Sequence, residues 1–158
     1  MEVREPLAAR LNEGRIEEIL VGRAAVELPR AVPRALVVAG RGIGGDRYFA
    51  GAGTWSDWPD QTGIALTLVE AEVLEELGLD GAAARRNVVT RGIRLNDLVG
   101  KQFRIGSLEC RGVRLAEPCK HLEQLTGVPV KALLHRGGLR VDVLADGEIA
   151  VGDAIVVG

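Results

Sequence analysis

The chain has 158 residues, a formal net charge of -2, 47% apolar residues and only 3% aromatic ones. This length fits a single domain, residues 1–158, with a core built from Val, Leu, Ile and Ala, and the weak acidity argues against general nucleic-acid binding. The charged N-terminus has no export-type apolar region, and no apolar run approaches the ~20 residues that span a membrane, so we expect a cytoplasmic protein that does not bind membranes.

Short strands separated by glycine turns fill most of the chain, a pattern that predicts a mainly β fold with a few short helices, arranged as a closed or nearly closed β-barrel. Strands are predicted at residues 16–21, 35–38, 64–68, 87–90, 102–105, 108–115, 139–144 and 154–157. Helices are predicted at residues 69–77, ending before Gly78, and at 118–125 and 130–134. A change of alternation near Gly112 predicts a bulge, and Asp146-Gly147 between two apolar runs predicts a tight hairpin.

Glycines at positions 40, 42, 44 and 45 follow the apolar run at 35–39 and superficially resemble a dinucleotide-binding loop. That fingerprint requires a helix directly after the glycines, and the chain continues through Asp46, Arg47 and Tyr48 without helical periodicity. A bent loop whose backbone approaches a ligand, followed by Asp46 and Arg47, is the interpretation that we adopt.

Arginines and an asparagine surround a predicted strand in the middle of the chain, at Arg85, Arg86, Asn87 and Arg91. A guanidinium suits phosphate or carboxylate, and an asparagine adds a directional amide. The segment therefore predicts an anion-binding strand, with two alternatives left open: a solvated arginine edge, or an asparagine that holds a neighbouring turn.

The sequence Glu117-Pro118-Cys119-Lys120-His121 places a cysteine in the predicted first turn of a helix. Proline suits the first helical position, and free N–H groups with the positive end of the helix dipole favour an anion there. A cysteine in that setting, near Lys120 and His121, is expected to ionise below the free-thiol pKa of about 8.5. Cys119 is thus the candidate catalytic residue, although many free cysteines merely fill space in a core.

Two other uses of Cys119 are disfavoured. A structural zinc site needs four ligands, and beyond Cys119 and His121 only Cys110 and His135 remain, without recognisable spacing. A cysteine–histidine dyad is disfavoured because His121 would face away along the same helix and nothing orients His135. Cys110 lies in an apolar strand and is predicted to be a core residue, while a disulfide between Cys110 and Cys119 stays open.

A third cationic cluster precedes the strand at 139–144 and contains His135, Arg136, Gly137, Gly138 and Arg140. Two glycines beside cationic side chains are suited to holding an anionic group with backbone N–H donors. A plain turn that leads into a strand is the alternative.

These three clusters, in this order, resemble the MOSC family, named for the C-terminal domain of molybdenum-cofactor sulfurase. The resemblance is clearest over residues 42–158, and the chain is similar to small stand-alone bacterial members. It is carried by Gly45-Asp46-Arg47, Arg86-Asn87-Val88-Val89, Glu117-Pro118-Cys119 and Gly137-Gly138-Leu139. Stand-alone members commonly have histidine where this chain has Tyr48.

The resemblance implies a β-barrel that binds the molybdenum cofactor (molybdopterin), with Cys119 as a molybdenum ligand or a persulfide carrier. Soft sulfur suits molybdenum. The expected cofactor-binding residues are Asp46, Arg47, Arg86, Asn87, Arg91, His121, Arg136, Gly137, Gly138 and Arg140. Three functions stay open: reduction of N-hydroxylated compounds with an external redox partner, sulfur transfer with a cysteine desulfurase as partner, and non-catalytic delivery or storage of the cofactor.

Overall fold

The computed structural model of the chain describes residues 13–22, 29–40, 42–44, 66–81, 86–116 and 137–157. Its strands are β1 (Glu13–Val21), β2 (Arg30–Val32), β3 (Arg34–Val38), β4 (Gly42–Ile43), β5 (Leu66–Glu70), β6 (Val88–Arg91), β7 (Gln102–Ile105), β8 (Leu108–Leu115), β9 (Leu139–Val143), β10 (Gly147–Ala150) and β11 (Ala154–Val157). One α-helix, α1 (Ala71–Leu77), follows β5, and a 3₁₀ turn spans Leu95–Leu98.

Seven strands close into a barrel. They are hydrogen-bonded in the order β11–β7–β8–β9–β5–β6–β1, and β1 pairs in turn with β11. Every pairing is antiparallel except that of β5 with β6, which is parallel. β2 continues this sheet beside the end of β1, and β10, β3 and β4 form a separate three-stranded sheet. The prediction of a mainly β fold with a closed barrel is confirmed.

Aliphatic side chains fill the interior of the barrel, as the composition predicts. Leu66, Leu68, Val88, Leu139 and Val141 belong to one buried cluster, to which every strand of the barrel contributes. Among the described residues the only aromatic member of that cluster is Phe103. Burying one such side chain contributes about 1.5–3 kcal/mol, so this cluster is the main source of stability.

Helix α1 packs on the outside of the barrel. Its buried residues Ala71 and Leu74 meet Leu20, Val69 and Val89, which point outward from three adjacent strands. The helix ends at Gly78, which has the left-handed conformation, as predicted. It begins two residues later than predicted, because Val69 and Glu70 pair with β6 and so belong to β5.

The hairpin predicted at Asp146-Gly147 is wrong. The residues after the turn form β10, which pairs with β3 and not with β9. Asp146 accepts a hydrogen bond from the backbone N–H of Ala39 at 2.9 Å, so its carboxylate joins the turn to the end of β3. The turn at Asp146-Gly147 therefore connects β9 of the barrel to β10 of the three-stranded sheet. The predicted bulge in β8 is confirmed between Gly112 and Arg114.

Candidate functional site

The structure describes six of the predicted site residues: Arg86, Asn87, Arg91, Gly137, Gly138 and Arg140. Asp46, Arg47, Cys119, His121 and Arg136 lie outside the described residues, as do Tyr48 and the helices predicted at 118–125 and 130–134. The site is therefore built from the strand ends that border residues 117–136.

Arg86 joins two distant parts of the sequence at one end of the barrel. It lies two residues before β6 and is half-buried. Its Nε donates to the carbonyl of Gly137 at 2.8 Å, and its Nη2 donates to the carbonyl of Ala116 at 3.1 Å. Ala116 directly precedes Glu117-Pro118-Cys119, so the arginine strand, the entrance to the cysteine segment and the glycine pair meet at this guanidinium.

Gly137 and Gly138 allow the backbones to approach closely at the same place. The N–H of Ala116 donates to the carbonyl of Gly138 at 2.8 Å. A Cβ atom on Gly137 would lie 2.2 Å from the carbonyl oxygen of Ala116, and one on Gly138 would lie 2.0 Å from that of Leu68. Gly138 also has a φ of 111°. No residue with a side chain fits either position without displacing backbone.

Asn87 is buried, with 5% of its surface exposed, and its amide bonds to neighbouring strands. Its Oδ1 accepts from both the backbone N and the Oγ1 of Thr67 at 3.2 Å, and its Nδ2 donates to the carbonyl of Leu20 at 3.4 Å. The side chain thus links β5 and β1 across the start of β6. This geometry matches the alternative in which an asparagine holds the local backbone, and its contact with a cofactor stays a prediction.

Arg140 lies on β9, which is the neighbour of β5 in the barrel sheet. It is directly opposite Thr67 on β5 and opposite Arg114 on β8, so the three side chains share one face. Arg114 takes this position because the bulge after Gly112 shifts the register. Arg114 was not predicted as a site residue, because its position opposite Arg140 depends on which strand β8 pairs with and on the size of the register shift.

Arg91 does not lie beside Arg86 at this end of the barrel. It lies five residues after Arg86, which corresponds to about 16 Å along an extended strand. Its Nε donates to Glu17 at 2.7 Å and its Nη2 donates to Glu75 of α1. These hydrogen bonds, the one to Glu17 most strongly, raise the pKa of the guanidinium above its ordinary value. Arg91 ties α1 to the barrel.

A further cationic surface lies where β2 leaves the barrel sheet and β3 begins the second sheet. A cavity of about 380 Å³ is lined there by Arg30, Arg34 and Leu36, together with Val21. The N–H of Leu20 donates to the carbonyl of Asn87, so the adjacent Val21 lies at the same end of the barrel as Arg86. Arg30 and Arg34 do not stand in a sequence motif, so neither was predicted to line a cavity.

Cys110 is a free thiol in the barrel core, as predicted. Burial, and to a smaller extent the charge of Glu109, raises the pKa of the Cys110 thiol to about 12. Its Sγ lies 3.7 Å from the carbonyl of Leu108, to which the S–H donates weakly. Because the chain has two cysteines, reactive thiol chemistry at neutral pH would fall to Cys119.

Thiol counting tests this assignment. Native protein treated with iodoacetamide at pH 7 is expected to lose one thiol per chain, because the core keeps Cys110 both protonated and inaccessible. Urea-unfolded protein should lose two. The Cys119→Ser variant is the control and should show no labelling in the native state. Labelling of Cys110 in native wild-type protein, seen by peptide mass spectrometry, would contradict the assignment.

The described residues contain no group of three or more His, Cys, Asp or Glu side chains placed to hold a metal ion. No helix within the described ranges is long and apolar enough to cross a membrane.

Comparison with known proteins connects these features to a family. The model of the MOSC domain matches residues 66–156, a stretch that contains Arg86, Ala116 and Gly137. No protein of curated function matches the sequence.

Solved structures share the fold at low identity. The YuaD protein of Bacillus subtilis superposes with a TM-score of 0.74 at 17% identity, covering 90% of this chain and 94% of that one. YiiM of Geobacillus stearothermophilus gives 0.66 at 17% identity, covering 92% and 75%. YiiM of Escherichia coli gives 0.62 at 18% identity, covering 91% and 69%. These likenesses establish the shape of the barrel.

Proposed function

Because this chain belongs to the MOSC domain family, we propose that it binds the molybdenum cofactor at the barrel end marked by Arg86, with Cys119 as the reactive residue. One observation carries the proposal: Arg86 hydrogen-bonds both Ala116, at the entrance to the cysteine segment, and Gly137 of the glycine pair. Three motifs that are distant in sequence thus border one place.

Gly137 and Gly138 do not form a space for the cofactor, because the carbonyl oxygens of Ala116 and Leu68 take the places of their missing Cβ atoms; these glycines let the strand ends meet closely. One feature of the described residues fits an anionic cofactor. Arg140 and Arg114 stand opposite each other on one face of the sheet, and two guanidinium groups side by side suit the oxygens of a phosphate. We assign the cofactor phosphate to Arg140 and Arg114, with Arg136 and His121 as further candidates from the cysteine segment. Asp46 and Arg47 are candidates from the glycine loop.

Cys119 supplies the soft ligand. The thiolate is the form of cysteine that binds metals, and the sequence around Cys119 favours this ionised form. Cys110 is unsuited to this role because its thiol is buried and stays protonated. When bound, the cofactor supplies a metal centre that exchanges two electrons.

The proposed reaction is the reduction of an N-hydroxylated compound. The N–O bond breaks, two electrons and two protons are consumed, and the products are the corresponding N–H compound and water. An external redox protein supplies the electrons. The residues of the chain would bind the cofactor, keep water from the metal ligand and orient the substrate.

Metal analysis tests the proposal. Protein purified from cells that make the cofactor is expected to contain molybdenum and pterin near one per chain, and Cys119→Ser should retain less than a tenth of the molybdenum. Cys110→Ala is the matched control and should keep the wild-type content. No molybdenum in wild-type protein, or equal amounts in wild type and Cys119→Ser, would contradict the proposal.

The reaction is tested separately. Loaded wild-type protein with a chemical reductant should convert a benzamidoxime to the amidine, and Cys119→Ser should not. Molybdenum binding without turnover would instead favour cofactor delivery. A persulfide on Cys119 after incubation with a cysteine desulfurase, detected as a 32-Da increase expected for one sulfur atom, would favour sulfur transfer.

A further inference from the structure

We propose that the cavity where β2 meets β3 is a binding site for a small organic anion, in which Arg30 and Arg34 hold the anionic group and aliphatic side chains hold an apolar body. The inference goes beyond the proposed function, because it involves neither the molybdenum cofactor nor Cys119. The cavity has a volume of about 380 Å³, which falls within the range of about 300–1,000 Å³ that is usual for small-molecule sites.

Arg30 lies on the core-facing side of β2. It is directly opposite Val21 on β1, and Val32 is two residues further along the strand, so the three side chains share one face. Val21 and Val32 are partly buried and pack against the core of the barrel. Within the described part of the chain, Arg30 has no hydrogen-bond or ion-pair partner. A guanidinium therefore stands beside apolar surface with its donors open to an anion from outside.

Strand β3 contributes a second cation and further apolar surface. Arg34 and Leu36 are two residues apart and so lie on the same face of the strand. Leu36 is 65% exposed, more than any other large apolar side chain among the described residues. The described residues that line the cavity include two arginines and no acidic side chain. The complement of such a lining is an anion that carries an aliphatic body.

Backbone hydrogen bonds hold the two sides of the cavity in place. Pro33 is the single residue between β2 and β3, and its carbonyl accepts from the N–H of Val151 at 3.0 Å. The N–H of Gly44 donates to the carbonyl of Leu36 at 3.0 Å and so joins the end of β4 to β3. A site that is already formed loses less freedom when a ligand binds, which favours affinity.

The two arginines differ in their surroundings. Nη1 of Arg34 lies 3.4 Å from Oε1 of Glu148, and both side chains are exposed. Exposed ion pairs of this kind are weak, so a ligand anion can compete with Glu148 for Arg34. Arg30 is thus the principal contact of the anion, and the carboxylate of Glu148 limits its affinity.

Titration of the metal-free 158-residue chain with hexanoate, followed by the NMR shifts of backbone amides, tests the site. Hexanoate is expected to shift the amide signals of β2 and β3 saturably. Its affinity should exceed that of hexanamide and that of acetate by about fivefold or more, since the first lacks the charge and the second lacks the apolar body. Hexyl phosphate is titrated in parallel, and the tighter of the two six-carbon anions identifies the ligand as a carboxylic acid or a phosphate monoester.

Two substitutions of exposed residues should change the affinity in opposite directions. Arg30→Gln is expected to weaken hexanoate binding by about fivefold or more, because it removes a charge-assisted contact. Glu148→Gln is expected to strengthen it by about twofold, because Arg34 loses a competing carboxylate. Arg94→Gln is the matched control and should bind like wild type. Arg94 is also exposed and near a carboxylate, that of Asp97 at 4.0 Å, but it follows the opposite end of β6 from Asn87.

Three outcomes would overturn the inference. The first is equal affinity of hexanoate for wild type and Arg30→Gln, and the second is binding of hexanamide as tight as that of hexanoate. The third is association of the ligand-free chain in sedimentation velocity that Leu36→Ser abolishes, which would show that a second copy covers this face. Molybdenum takes part in none of these measurements, so failure of the proposed function leaves this test intact.

Discussion

Replacing Gly138 with alanine is expected to lower the free energy of unfolding by about 3 kcal/mol or more, because the change combines backbone strain with overpacking. The φ of 111° is one that side chains disfavour, and the new Cβ would lie 2.0 Å from the carbonyl oxygen of Leu68. That oxygen belongs to a central barrel strand and cannot move aside without breaking sheet pairing. Equilibrium unfolding in urea measures the loss.

Two further variants separate the causes. Gly137→Ala meets the Ala116 oxygen at 2.2 Å, but its φ lies outside the positive range, so it reports overlap alone. Gly100→Ala has a φ of 76° with nothing within 4 Å and so reports strain alone, with an expected loss of about 1 kcal/mol. A Gly138→Ala variant no less stable than Gly100→Ala would show that the backbone around Gly138 yields more easily than the barrel geometry implies.

The parts of the fold that the sequence predicted well are those governed by local periodicity. The ranges of β7, β8 and β11 agree with prediction at both ends, because their alternation and flanking turns are local signals. The strands β2 and β4 were not predicted as strands, since they are only three and two residues long. Pairing partners depend on the whole fold, which is why the Asp146-Gly147 turn was misread as a hairpin.

The candidate site divides in the same way. Residue types that suit anion chemistry were visible in the sequence, but their partners were not. Arg91 and Arg86 look equivalent in the chain, yet one binds two carboxylates and the other two carbonyls. The role of Arg114 depends on a register shift, and the cavity beside Arg30 depends on how two sheets meet. Such facts arise only when distant strands are brought together.

Asn87→Ala is expected to cost about 2–3 kcal/mol of stability, because it leaves buried groups without partners. The backbone N–H of Thr67 would lose the Oδ1 acceptor, and the carbonyl of Leu20 would lose the Nδ2 donor. Both lie where β1, β5 and β6 meet, directly beside Arg86. The loss is measured by urea unfolding of the variant against wild type.

A double-mutant cycle with Thr67→Val decides whether the effect belongs to this hydrogen-bonded pair. The valine keeps the shape of threonine but removes the Oγ1 that bonds Asn87 at 3.2 Å. Since the two side chains are in direct contact, their losses should not add, and a coupling energy of about 0.5 kcal/mol or more is expected. Strict additivity would show that Asn87 stabilises the fold independently of the Thr67 hydroxyl, through its bonds to the backbone of Thr67 and Leu20. A large coupling would instead mean that the Asn87 amide and the Thr67 hydroxyl act as one hydrogen-bonded unit, which holds β5 to the chain that leads into β6.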